Sequence, residues 1–187
     1  MEPSVGSNLR ASDKAARLGY GPRAAGAVKK REPMQLSQFI DFDSIRHDLS
    51  ASNKRALLNQ LAQIAGQRLG IDSARIADAI AERERLGSTG FGGGIAIPHG
   101  KMDGLERIYA LAVRLAEPIA YKAIDGAPVD LVFLLLSPPD AGAEHLKALA
   151  TISRLVRHGP TIEKLRGART RDALAAVLLG SEERDAA

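Results

Sequence analysis

The chain has 187 residues and contains neither cysteine nor tryptophan. Disulfides, thiolate nucleophiles and cysteine-based metal sites are therefore excluded, and the composition suits a reducing compartment, with the cytoplasm the expected location. Aromatic residues make up only 4%, too few for the stacking platforms of single-stranded nucleic-acid binders. Apolar runs such as Leu131–Leu136 are far too short to cross a bilayer, which takes about 20 residues. The first residues are polar and basic and lack the apolar segment of a secretory signal. No membrane insertion is expected. The four histidines, His47, His99, His145 and His158, show no ligand spacing such as HExxH. Neither a metal nor an organic cofactor is expected.

The charge is also less informative than it looks. The net charge is +4, but seven basic and three acidic residues up to Pro33 account for all of it. The remainder is balanced, which argues against a nucleic-acid-binding domain. Residues 1–34 have no apolar periodicity and read as a disordered basic tail. At about 150 residues per domain, the rest is one domain, 35–180, followed by a frayed polar end, 181–187.

What the chain does have is concentrated in Arg83–Gly100, RERLGSTGFGGGIAIPHG. Gly87, Gly90, Gly92, Gly93 and Gly94 crowd a loop that also carries Ser88 and Thr89. Glycine lets backbone amides turn inward and approach an anion closely. Ile95-Ala96-Ile97 reads as a short buried strand that Pro98 ends, since proline has no amide hydrogen for a ladder. His99 is thereby delivered at a strand end beside free amides, a layout for a nucleophilic histidine whose product is anionic. The loop is no nucleotide site. A P-loop needs Gly-Lys-Ser/Thr opening a helix, and the dinucleotide fingerprint also opens one, whereas this loop runs into a strand.

The flanking segments extend this reading. Ser50 or Ser52 can cap a helix to Leu69, with Gly70 as its stop. Asp72 can cap a second helix ending near Leu86, with Ile76, Ala79 and Ile80 on its apolar face. Arg83 continues that face. A guanidinium there either meets an anion at the loop or turns out to water or a carboxylate, and spacing does not choose between them. Arg85 falls on the solvent side. Leu36–Leu49 reads as irregular, with His47 a surface residue without a partner. Arg107–Leu115 is expected as a strand closed by Glu117-Pro118-Ile119, and Pro128–Ser137 as a central strand covered on both faces. Pro138-Pro139-Asp140 starts a helix to His158 on which His145 lines up with Leu149, Ile152 and Val156 and so turns inward. His158-Gly159-Pro160 reads as a helix end, with Gly159 in a left-handed cap. Two short helices, near Thr161–Arg166 and Thr170–Leu179, complete the chain.

The segment GSTGFGGGIAIPHGK resembles the signature of the type 2 IIA proteins of the bacterial phosphoenolpyruvate-dependent phosphotransferase system, and most closely its nitrogen-regulatory branch. The resemblance covers roughly Leu36–Gly180. It implies an α/β fold, a mixed sheet flanked by helices. It implies a phosphotransferase activity in which His99 accepts a phosphoryl group from a histidine phosphocarrier protein, on the ring nitrogen remote from the backbone. Arg83, in the matching R-E stretch, and His145, in EHLKALA, would support that group; Glu144 is given no role. The loop amides, with Ser88 or Thr89, would help. No sugar-specific IIB or membrane IIC segment is joined, which favours a regulator acting on downstream protein targets. The alternatives are a sugar- or polyol-specific IIA component serving a separate IIB, and a non-catalytic module that binds an anion or partner.

Overall fold

The computed structural model describes residues 34–185, with side chains to Ser181. The expected tail, up to residue 33, and the last two residues lie outside the described residues. A mixed six-stranded sheet forms the centre, with helices on both faces. Two 3₁₀ turns lead into β1 (Arg46–Leu49). Helices α1 (Lys54–Leu69) and α2 (Ser73–Arg85) follow, then β2 (Gly90–Gly92), β3 (Ile95–Ala96), β4 (His99–Lys101), β5 (Tyr109–Ile119) and β6 (Val129–Ser137). Helices α3 (Gly142–Arg157), α4 (Gly159–Gly167) and α5 (Arg171–Asp185) end the described chain.

The strand order is β1-β5-β6-β3-β2, with β4 also paired to β6. The β6 sequence dictates its central place. Leu131, Phe133 and Leu135 pack with Ala148, Ile152 and Leu155 of α3. Val132, Leu134 and Leu136 pack with Leu57 and Leu61 of α1 and Ile76 and Ile80 of α2. A strand buried on both faces has to be apolar at every position, and this one nearly is.

Several local expectations are corrected. Asn53, not Ser50 or Ser52, caps α1, accepting from the Ala56 amide at 2.9 Å. Asp72 caps α2 as expected, through the Ala74 amide. Leu36–Leu49 is not irregular throughout: β1 pairs parallel to β5. Polar RHDL lacks the alternation that announces a strand, and its pairing is long-range. His47 does have a partner, with Nε2 2.8 Å from Asp48 Oδ2. Helix α3 begins at Gly142, because Pro138–Ala141 closes as a turn first. Gly159 is not a left-handed cap; it opens α4, and His158 is the cap, its Nδ1 accepting from the Thr161 amide. Pro160 sits in the first turn, where its missing amide hydrogen costs nothing. Helix α5 runs to Asp185, beyond the expected end at Leu179.

Pro98 interrupts the strand without ending it. Its carbonyl accepts from the Leu135 amide at 3.0 Å, and pairing with β6 resumes at once, His99 opposite Leu135. His99 is thus the first residue of a resumed strand. The next residue, Gly100, sets how close α2 lies. A Cβ there would stand 3.3 Å from the backbone carbonyl of Ala79, one helical turn before Arg83. Gly100→Ala should cost about 1–3 kcal/mol by overpacking. Urea denaturation would read this as a lowered midpoint; an unchanged midpoint would contradict the close approach.

Candidate active site

His99 lies half-buried at the start of β4, and its ring is held at both nitrogens. Nδ1 is 2.8 Å from the Ile97 carbonyl oxygen, which can only accept, so Nδ1 carries the hydrogen. Nε2 is then the nitrogen with the lone pair, and the Arg83 Nε–H donates to it at 2.9 Å. Two independent contacts therefore demand the same tautomer. Arg83 is fixed in turn by donating from Nη1 to the Gly87 carbonyl at 3.0 Å, across the last turn of α2. His145, early in α3, is buried beside His99, with ring centroids 5.6 Å apart and planes tilted by 48°. Its Nδ1 lies 2.7 Å from Ser137 Oγ.

Burial holds the His99 imidazole below its ordinary value of 6.5; the Ile97 carbonyl works against this, and the Arg83 charge works with it. His145 is lowered in the same way, by burial first and then by His99, Lys101 and Arg83. Both rings are neutral at neutral pH, so the His99 Nε2 lone pair is available for attack on an electrophile.

The glycine-rich loop divides into two parts. Ser88, Thr89, Gly90 and Phe91 line an open depression of about 670 Å³ with Arg83 and His99. Gly92, Gly93 and Gly94 are not among its lining residues; they make the turn between β2 and β3, with φ of +103°, +61° and +79°. That turn is fastened elsewhere. The Gly93 amide donates to Asp125, and Arg166 donates to the Gly93 carbonyl while pairing with Asp130. Nor are the nearer amides free. The Thr89 amide donates to both Glu84 carboxylate oxygens, at 3.0 and 3.2 Å, and the Gly90 amide donates to Ser88 Oγ at 3.2 Å. The Thr89 hydroxyl also bonds Glu84 and stands 3.0 Å from the Tyr121 hydroxyl. The structure thus brings Arg83, His99, His145 and the Ser88–Phe91 segment together, and turns most of the glycine backbone to other work.

A half-buried clamp beside the site was not read from the sequence. Glu84 pairs with Lys54, whose ammonium also donates to the Tyr121 carbonyl at 3.0 Å and lies 4.2 Å from the Tyr121 ring centroid. Burial pushes the Glu84 carboxyl up, but Lys54 and Thr89 outweigh it and leave the group below its ordinary value. Glu84 adjoins Arg83, so the clamp fixes the helix end that carries the guanidinium. Lys122, with φ +61°, and Arg157 also line the depression, the latter stacked 5.6 Å from the Phe91 ring centroid. Lys54, Tyr121 and Arg157 lie 30 to 73 residues from Glu84 or are placed only by the fold, so no local spacing could have found them. The acidic neighbour of Arg83 was the one available signal. Among the described residues no cluster of three or more acidic or histidine side chains could hold a metal, and no helix is long and apolar enough to cross a membrane.

The structure is a mixed sheet covered by helices on both faces, with a neutral histidine held beneath an arginine at the start of β4. Residues 38–180 match the family described as phosphoenolpyruvate-dependent sugar phosphotransferase system, EIIA 2, and the chain belongs to that family. Its members carry out phosphotransfer and regulation through a phosphohistidine, and they interact with phosphocarrier donors and downstream partners. The chain is 43% identical over 145 residues to a nitrogen regulatory protein of Bradyrhizobium diazoefficiens, covering 78% of this chain and 95% of that one. It is 36% identical over 116 residues to a fructose-specific EIIA component of Haloferax volcanii, covering 59% and 75%. The crystal structure of nitrogen regulatory protein IIA-Ntr from Neisseria meningitidis superposes with a TM-score of 0.72 at 29% identity, covering 76% of this chain and 98% of that one. Mannitol IIA of Escherichia coli, at 18% identity and a TM-score of 0.63, shares the fold.

Both imidazoles should titrate below 6.5 in an NMR pH titration, and Arg83→Met should raise the His99 value by removing a repelling charge. The unfolded chain binds these protons more tightly, so the stabilisation is complete above about pH 6.5 and is lost as pH falls through the lowered native values. A His99 titration above 6.5 would contradict the burial argument.

Proposed function

We propose that this protein is a regulatory phosphoacceptor of the nitrogen-regulatory IIA type, phosphorylated on His99 Nε2 by a phosphohistidine on a histidine phosphocarrier protein. The observation that carries the reading is the double constraint on the His99 ring. As the Nε2–P bond forms and the donor's N–P bond breaks, the donor imidazole leaves with the electron pair. The His99 ring becomes cationic while Nδ1 keeps its hydrogen, and the Ile97 carbonyl meets that charge. Arg83 gives up the lone pair it caps at rest and turns to the phosphoryl oxygens, a displacement that its tether to Gly87 keeps short. Such catalysis is positioning and charge stabilisation, with little covalent work for the protein. His145 and Ser88 flank the group. The glycines 92–94 serve the turn.

The surroundings suit a protein substrate. Leu86, three residues after Arg83, Ile124, on the depression, and Leu146, the residue after His145, are 83%, 87% and 67% exposed. Exposed apolar side chains around a reactive group mark a docking face. A phosphoryl group placed there adds up to two negative charges to an apolar and basic surface, and that change is what a downstream partner would read. The nitrogen-regulatory names of the relatives support regulation. The fructose-specific relative supports a second reading, passage of the phosphate to a separate IIB protein.

Incubation with phosphoenolpyruvate, enzyme I and the phosphocarrier should add one acid-labile phosphate by intact mass. His99→Ala should abolish it, and Arg83→Ala should slow it about 100-fold, the scale of one lost charge-stabilising donor. No phosphate with an active relay sinks the proposal and promotes a binding module. Rapid discharge to a IIB protein selects the second reading.

A further inference from the structure

Ser137 is the last residue of β6 and is fully buried, at 0% exposure. It falls on the face of β6 that Phe133 and Leu135 use to build the apolar core against α3. A hydroxyl at such a place is costly unless it is hydrogen-bonded. Among the described residues its Oγ has one partner, His145 Nδ1 at 2.7 Å. That single contact decides the direction of the bond. If His145 Nδ1–H were the donor, the Ser137 hydroxyl hydrogen would be buried without an acceptor. If the hydroxyl donates, both groups are satisfied, and the hydrogen of the neutral His145 ring resides on Nε2. Among the described residues nothing bonds that Nε2. It belongs to a ring whose centroid is 5.6 Å from that of His99, a gap that one phosphoryl group can bridge. The strand register fixes the arrangement: Lys101, two residues after His99, lies opposite Ser137.

We infer that Ser137 is a positioning residue for phosphoryl transfer: its hydroxyl donates to His145 Nδ1 and so locks His145 in the Nε2–H form that donates to a phosphoryl oxygen on His99. The inference rests on the phosphoacceptor reading above. Ser137 does not touch the phosphoryl group; it removes the alternative in which His145 presents a lone pair and repels phosphoryl oxygens.

The test has two arms. Long-range ¹H–¹⁵N NMR of the ¹⁵N-labelled full chain should show the His145 Nε2–H tautomer alone, and a mixture of tautomers in Ser137→Ala. Transfer from the phosphocarrier should slow roughly tenfold in Ser137→Ala, the scale of one lost hydrogen bond, with near-unchanged unfolding. Because Ser137 acts through His145, the double variant Ser137→Ala/His145→Ala should transfer no more slowly than His145→Ala alone. A purely structural serine would instead give additive losses and leave the tautomer unchanged, which overturns the inference. His145 found as Nδ1–H in the parent overturns it whatever the transfer assay gives. The NMR arm needs no phosphoryl donor. A parent with the expected tautomer that takes no phosphate on His99 sinks the phosphoacceptor reading instead.

Discussion

The site depends on one hydrogen bond, from His99 Nδ1–H to the carbonyl of Ile97 two residues earlier. An imidazole has two nitrogens of nearly equal basicity, and an untethered ring presents either. A carbonyl can only accept, so this contact assigns the hydrogen and leaves Nε2 with the lone pair. The Ile97 carbonyl faces away from β6, toward Thr89. The Ile97 amide donates to the Thr89 carbonyl, but the Thr89 amide that would complete the antiparallel pair goes to Glu84, so the Ile97 carbonyl is left for the ring. Pro98 costs the ladder one donor, yet its carbonyl still accepts from Leu135 and pairing resumes at His99. β6, apolar on both faces, holds both halves of the broken strand in place.

Around this ring the protein sets groups that would otherwise repel or wander. Arg83 stays beside an imidazole because that imidazole is neutral and offers it a lone pair. Its backbone is held by the Glu84–Lys54 pair and by α2 lying close on Gly100. Removing one partner of a partly buried ion pair leaves the other uncompensated, so loss of Lys54 or Glu84 destabilises this end of α2. The same carboxylate takes the Thr89 amide and hydroxyl. One partly buried carboxylate thereby ties the end of α2 to the start of the loop that lines the depression. Pre-organisation of this kind suits a reversible relay, in which every arrangement must serve both directions.

Much of this was legible in the sequence. The Pro128–Ser137 run announced a strand buried on both faces because full burial demands continuous apolarity. The i, i+4 spacing turned His145 inward and placed Arg83 on the face of Ile76 and Ile80 without deciding where its guanidinium went; the structure sets both beside His99. The signal misled where two causes produce the same residues. Five glycines read as an anion cradle, yet Gly92–Gly94 are there for three consecutive left-handed residues in a turn, and composition cannot separate the two uses. Proline after Ile97 read as a strand end, but a strand can lose one ladder bond and continue. β1, the His47–Asp48 contact and the Lys54–Glu84–Tyr121 clamp stayed invisible because each depends on long-range pairing or on polar residues with no periodic mark.

The most direct test of the account is the site of the phosphate. Correlated ³¹P–¹⁵N NMR of the phosphorylated, ¹⁵N-labelled protein distinguishes the two ring nitrogens and the four histidines. The account predicts one phosphate, on Nε2 of His99, with the Nδ1–H still bonded to the Ile97 carbonyl. Phosphate on Nδ1 of His99, or on His145, would contradict it.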